Sequence, residues 1–104
     1  MIIAGKDRPF LFCLNSLKEF SRLENLTIDE TFNSLDKLNL DQTINLIYCC
    51  FKYGAKKEGL PVDFSADDVG DWLNEDLNKI SEITKLMVSQ MPKSKNQKAP
   101  RTGA

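Results

Sequence analysis

The chain has 104 residues, 14 Lys plus Arg against 15 Asp plus Glu, no His and 41% hydrophobic composition, which is material for one modest core and leaves no room for a second domain. The missing imidazole removes the commonest general acid/base and the commonest metal ligand, so Ser-His, Cys-His and zinc-histidine chemistries are excluded. No run approaches the ~18 apolar residues of a membrane-spanning helix, and Met1 to Ala4 leads straight into Gly5, Lys6, Asp7 and Arg8, so neither a span nor a signal peptide is expected.

In chain order, Ile2 and Ile3 precede the turn-forming and polar cluster Gly5-Lys6-Asp7-Arg8-Pro9, and Phe10 to Leu14 follow as an apolar, aromatic-rich run. This pattern predicts a β-hairpin over residues 1–14. Two strands alone are marginal in water, so the ribbon must lie on helices or pair with another chain, leaving an edge for a partner. From Asn15 the pattern turns helical. Ser16-Leu17-Lys18-Glu19 fits a capping box, in which hydroxyl and carboxylate each satisfy a backbone N–H of the first turn, with Leu17, Phe20 and Leu23 behind it. Thr27-Ile28-Asp29-Glu30 repeats the device before a short helix whose apolar positions are Ile28, Phe32, Leu35 and Leu38.

A third start falls at Asn39 or Asp41 and predicts the longest helix, about Leu40 to Lys57. Leu40, Ile44, Ile47, Tyr48, Phe51 and Ala55 form its stripe, and Leu46, Cys49 and Cys50 widen it until the middle turns are apolar almost all round, which places this helix at the centre. Lys52, Lys56 and Lys57 suit its negative end, and Gly59 with Pro61 stop it. Ser65 then caps a segment with Val69, Trp72 and Leu73 inward, and Leu77, Ile80, Ile83 and Met87 mark a final helix. Residues 93–104 carry four bases and no acid, while the remainder holds ten bases against fifteen acids, a net of −5. With Pro92, Pro100 and no large apolar residue after Met91, residues 92–104 read as a disordered basic tail. The expected fold is therefore mainly α: a short N-terminal β-hairpin and four to five helices in a small bundle, forming one domain over residues 1–91, then the tail.

Nothing in this order marks a catalytic or cofactor site. Six acids lie between Asp63 and Asp76 with no base among them, but if Gly70 takes position 6 of a calcium loop, the aliphatic Val69 falls at position 5. The acids read either as a solvated helix start or as a docking surface for a basic partner. Cys49 and Cys50 are adjacent and mid-helix, unlike a redox dithiol, and the three cysteines predict reduced, buried thiols in a cytosolic protein. Gly54 and Gly59 lack the strand-to-helix context of a phosphate loop. Trp72 is a core anchor or a binding hot spot.

Three segments together resemble a known family. Ile2-Ile3-Ala4-Gly5-Lys6 with Phe10-Leu11-Phe12, then Asn15-Ser16-Leu17-Lys18-Glu19-Phe20, then Leu46-Ile47-Tyr48 and Phe51-Lys52-Tyr53-Gly54-Ala55 followed by Phe64 to Leu73, are similar to the hairpin, first helix, central helix and acidic helix of tail assembly chaperones from long-tailed bacteriophages. The resemblance spans roughly residues 1 to 90. It implies a non-enzymatic morphogenesis factor without cofactor, acting in the host cytoplasm, that coats the tape measure protein and recruits tail tube subunits. A long helical partner calls for apolar grooves and strand edges, and Leu46, Cys50, Tyr53 and Trp72 are the expected partner-facing residues. Self-association through the hairpin edge is a further expectation. The rival reading is a small nucleic-acid-binding regulator anchored by its basic tail, against the field of its own acidic body.

Overall fold

The computed structural model describes residues 1–90, which form, in order, β1 (Ile2–Ile3), β2 (Lys6–Asp7), α1 (Leu14–Glu24), α2 (Ile28–Ser34), α3 (Leu40–Lys57), α4 (Ala66–Glu75) and α5 (Asn78–Gln90). The expected basic tail, residues 92–104, lies outside the described residues. The mainly helical fold with a short N-terminal hairpin is as the sequence predicts.

The hairpin itself is tighter than expected. Ile2 pairs with Asp7 and Ile3 with Lys6, and the turn residues Ala4 and Gly5 both take positive φ, 53° and 73°. Two successive left-handed residues are what a two-residue turn needs to match the twist of its strands. The second strand is thus Lys6–Asp7 and not the Phe10–Leu14 run. Pro9 lacks the N–H a ladder requires, and the backbone groups of Phe10 and Phe12, both buried in the core, are bonded by the Gln90 side chain and not by β1. Phe10 to Phe12 instead crosses the bundle as irregular chain whose backbone finds partners elsewhere. Leu11 N–H donates to the Cys50 carbonyl at 3.1 Å. The Gln90 side chain accepts from Phe12 N–H at 2.8 Å and donates to the Phe10 carbonyl at 3.2 Å.

α1 corrects a second expectation. It begins at Leu14 with Cys13 at its N-cap and no side-chain cap, so the Ser16–Glu19 box does not form. Ser16 is fully buried inside the first turns and its hydroxyl donates to the Leu11 carbonyl. Satisfying a buried carbonyl of the irregular segment outweighs capping an end that water can reach. Glu19 instead faces Lys52 and Lys56, each at 3.7 Å. α1 closes on Asn25 in the left-handed region, with Leu26 N–H returning to the Ser21 carbonyl at 2.9 Å.

The other three starts fall where the sequence puts them. Reciprocal side-chain to backbone bonds join Thr27 with Glu30, Asn39 with Gln42, and Ser65 with Asp68. α3 is the axis of the molecule. Leu46, Ile47, Cys49, Cys50, Phe51, Gly54 and Ala55 are buried on it, and α1, α4 and the irregular segment wrap it. Phe51 sits at the centre of an aromatic cluster, edge-on to Phe10 at 5.0 Å and to Trp72 at 5.9 Å.

α2 docks by polar atoms. Thr31 is its one buried residue, and its hydroxyl lies 2.6 Å from that of Ser21 on α1. The expected apolar stripe points elsewhere: Ile28 and Phe32 are 42% and 45% exposed. In α5, Ile83 is buried with Ile80 and Met87 half-buried, but Leu77, expected in the same stripe, precedes the helix and is 68% exposed. Leu23 is exposed as well.

Two substitutions test this packing. A Cβ on Gly54 would stand 2.5 Å from the Pro9 carbonyl oxygen, a clash with backbone that cannot rotate away. Gly54→Ala is expected to lose about 1–3 kcal/mol in denaturant unfolding, the usual range for overpacking. Ala4→Asn, in contrast, should raise the thermal midpoint, since Asn tolerates the left-handed region that costs alanine about 1 kcal/mol.

Candidate functional site

The α2 stripe opens on the principal apolar surface feature. Leu35 and Leu38 follow α2, Leu46 comes from the middle of α3, Phe12 from the irregular segment, and Met87 and Val88 from the last turns of α5. Together they line a groove of about 290 Å³, with Asp36, Thr43 and Thr84 as its polar lining. Phe12 and Leu46 form the floor and are almost fully buried, while Leu35, Leu38 and Met87 are half-buried and Val88 is 64% exposed. α2 leaves this side uncovered because it spends its inward face on the Thr31–Ser21 hydroxyl pair.

Of the four expected partner-facing residues, Leu46 alone lines this groove, as floor. Cys50 is fully buried in the core and offers no surface to a partner in this fold. Its thiol and that of Cys49 are both pushed up by burial, Cys49 to about 12, so neither supplies a reactive thiolate near neutral pH. Tyr53 is half-buried and its hydroxyl accepts from Asn15 Nδ2 at 2.7 Å. Trp72 is half-buried on the far side of α3, with the Arg8 guanidinium over its ring at 4.3 Å and Phe51 at its face edge-on. It works as an anchor between hairpin and α4. Phe12, Leu35, Leu38, Met87 and Val88 were not among the expected residues. The spacing of the α2 stripe signals Leu35 and Leu38, whereas no local pattern brings Phe12 beside Met87.

A second, larger groove of about 730 Å³ runs between the end of α1 and the starts of α3 and α4, and it is polar. Glu24, Asp41, Asp67 and Asp71 contribute carboxylates with Asn39, Gln42 and Asn45 among them, and no cation lines it. Asn45 Nδ2 donates to Glu24 at 2.8 Å. The six acids of the 63–76 stretch are dispersed. Asp68 caps α4, Asp76 accepts from Asn78 N–H at 3.1 Å, Asp63 faces Arg8 and Lys6, and only Asp67 and Asp71 enter the groove. Among the described residues no three Cys, Asp or Glu side chains converge as a metal site, and no helix is long and apolar enough to cross a membrane.

Asp63 ties the hairpin to the loop before α4. Arg8 donates to its carboxylate at 3.3 Å and Lys6 lies 3.7 Å away, while the same guanidinium covers Phe64 at 5.1 Å and Trp72. The hydrogen bond from Arg8, then the charge of Lys6, hold the Asp63 carboxyl below its ordinary value. Comparison of the chain with protein-family models, curated proteins and solved structures finds no match.

A depressed carboxylate contributes stability that is complete above its unfolded value near 4 and lost as pH falls through the lower folded value. Acid unfolding below that ordinary value is therefore expected to be steeper for the wild type than for Asp63→Asn, with the two curves parallel at neutral pH. Arg8→Ala should cost more than Asp63→Asn, about 1–2 kcal/mol, because it also uncovers two aromatic faces. Thermal unfolding of the three proteins at neutral pH checks the order.

Proposed function

We propose that this protein is a non-enzymatic assembly chaperone of the phage tail type, which holds helical segments of a tape measure protein and brings tail tube subunits to them in the host cytoplasm. The observation that carries the reading is the apolar groove between α2 and α5, with the exposed Ile28 and Phe32 on the adjoining helix. Its shape and lining suit the apolar edge of an amphipathic helix presented at i, i+3/i+4 and i+7. The hairpin-first, central-helix order of the family resemblance supports the same role.

Magnitudes favour transient adhesion over permanent assembly. A partner helix seating three side chains here removes on the order of 300 Å² of apolar surface, worth about 7–8 kcal/mol gross, against an association cost of about 4–15 kcal/mol. One groove alone binds weakly. Many copies along one long partner bind through repetition, and each can leave again. A nucleic-acid role would rest on the basic tail, and the −5 of the remaining chain opposes it.

The test is co-expression with tape measure segments. The wild-type chain is expected to keep such a segment soluble and to be co-purified with it. Val88→Asp and Leu38→Asp, checked for native helicity by circular dichroism, should each weaken capture about tenfold or more, since a charge facing a desolvated helix is an unpaired charge. Segments that precipitate equally with and without the chain would count against the proposal.

A further inference from the structure

The corner between α4 and α5 is made of two residues, Asp76 and Leu77, with neither Gly nor Pro in it. Asp76 is extended, at φ −148° and ψ 91°, and caps α5: its carboxylate accepts from Asn78 N–H at 3.1 Å and its carbonyl from Lys79 N–H at 3.0 Å. Changing the backbone of this corner from extended to helical would run α4 directly into α5. The sequence on both sides is already in phase for that. At 100° per residue, Val69, Trp72, Leu73, Leu77, Ile80, Ile83 and Met87 fall within an arc of roughly 140° of one straight helix. Leu77 completes this stripe, yet in the bent arrangement it is 68% exposed.

α5 is also lightly held. Ile83 is its only buried residue, Ile80, Leu86 and Met87 are half-buried, and the two Gln90 hydrogen bonds to Phe10 and Phe12 pin its last turn. These contacts join α5 to groups remote from the corner, so they can re-form with the same groups of another molecule.

We infer that two copies of this chain exchange α5: the Asp76–Leu77 corner straightens, α4 and α5 become one helix, and each α5 takes the seat of the other beside α3 and the Phe10–Phe12 segment. The exchange keeps the seat contacts, gives up the Asp76 cap, and gains helix hydrogen bonds through the corner. It also buries Leu77, because the two straightened corners meet at the twofold axis. A short connection without a breaker is the hinge type that favours such swapping. The inference stands apart from the chaperone reading, since it concerns the chain alone and its assay contains no other protein.

The experiment is light scattering coupled to size exclusion on the full chain over about a hundredfold range of concentration. The wild type is expected to show a monomer–dimer equilibrium. Asp76→Ala removes the cap of the bent form and favours helix, and should raise the dimer association constant about tenfold or more. Leu77→Pro should abolish the dimer and leave the monomer folded, because proline is tolerated just ahead of α5, behind an extended residue, but not in the interior of a straight helix. Inserting Gly-Ser-Gly between Asp76 and Leu77 should abolish it too, a result that does not depend on how proline is tolerated. Leu77→Ala keeps helix propensity but removes the side chain that the exchange buries, so it should weaken the dimer about tenfold and leave it detectable at the highest concentrations, whereas dimers formed merely through an exposed leucine would vanish. Wild-type and Asp76→Ala proteins that stay monomeric throughout, a dimer that persists in the glycine insertion, or one lost in Leu77→Ala would each overturn the exchange.

Discussion

A helix apolar around most of its circumference must be covered on every side, and α3 imposes that requirement on a chain with few residues to spare. Leu46, Ile47, Cys49, Cys50, Phe51 and Ala55 look in several directions at once, so one neighbouring helix cannot bury them. α1 covers one flank, α4 another. The remaining flank is covered by the segment Pro9 to Cys13, which can lie there only because Gly54 has no side chain to hold it off. A helix in this place would be too thick, since helix axes pack about 8–10 Å apart.

That choice of cover determines where the polar groups go. An irregular strand laid across a helix brings unpaired backbone into the interior, and each such group costs on the order of 1–3 kcal/mol if left alone. Here the Cys50 carbonyl accepts from Leu11 N–H, the Ser16 hydroxyl donates to the Leu11 carbonyl, and the Gln90 side chain serves both Phe10 and Phe12. The side chain of Gln90 comes from the far end of the described chain, so α5 and the segment that precedes α1 are closed on each other through one carboxamide. The hydroxyl pair of Ser21 and Thr31 plays the same part for α2. It also explains why α2 turns its isoleucine and phenylalanine outward: the face with the hydrogen-bonding partner is the face that docks.

The apolar surface left over is therefore a product of the covering problem. Ile28, Phe32 and Val88 stay exposed, and none of the described residues fills the gap between α2 and α5 over Phe12 and Leu46. The acidic groove on another side has a different origin: two of its carboxylates, Asp41 and Asp67, belong to first turns, which favour acids, and Glu24 at the end of α1 and Asp71 in mid-α4 join them there. The adhesive role proposed for this protein draws on the first of these surfaces. Neither surface groups an acid, a base and a nucleophile in the way bond-making chemistry would use them.

Local chemistry carried much of the architecture. Thr27, Asn39 and Ser65 each sit three residues before a side chain that can return the cap, and all three helices begin there, because capping is decided within four residues. The width of the α3 stripe likewise marked its central place. What local chemistry could not decide was anything that trades a local bond for a distant one. Ser16 gives up a legible cap for the Leu11 carbonyl, the run Phe10 to Leu14 reads as a strand although Phe10 to Cys13 covers α3 and Leu14 opens α1, and Leu46 shares with Phe12 the floor of a groove whose walls come from residues 35, 38, 87 and 88. Cys50 and Trp72 look alike in sequence, as apolar residues in amphipathic helices, yet one is sealed in the core and the other lies under Arg8. Which apolar residues end inside and which outside depends on where neighbours far along the chain find room, and only the packed structure holds that information.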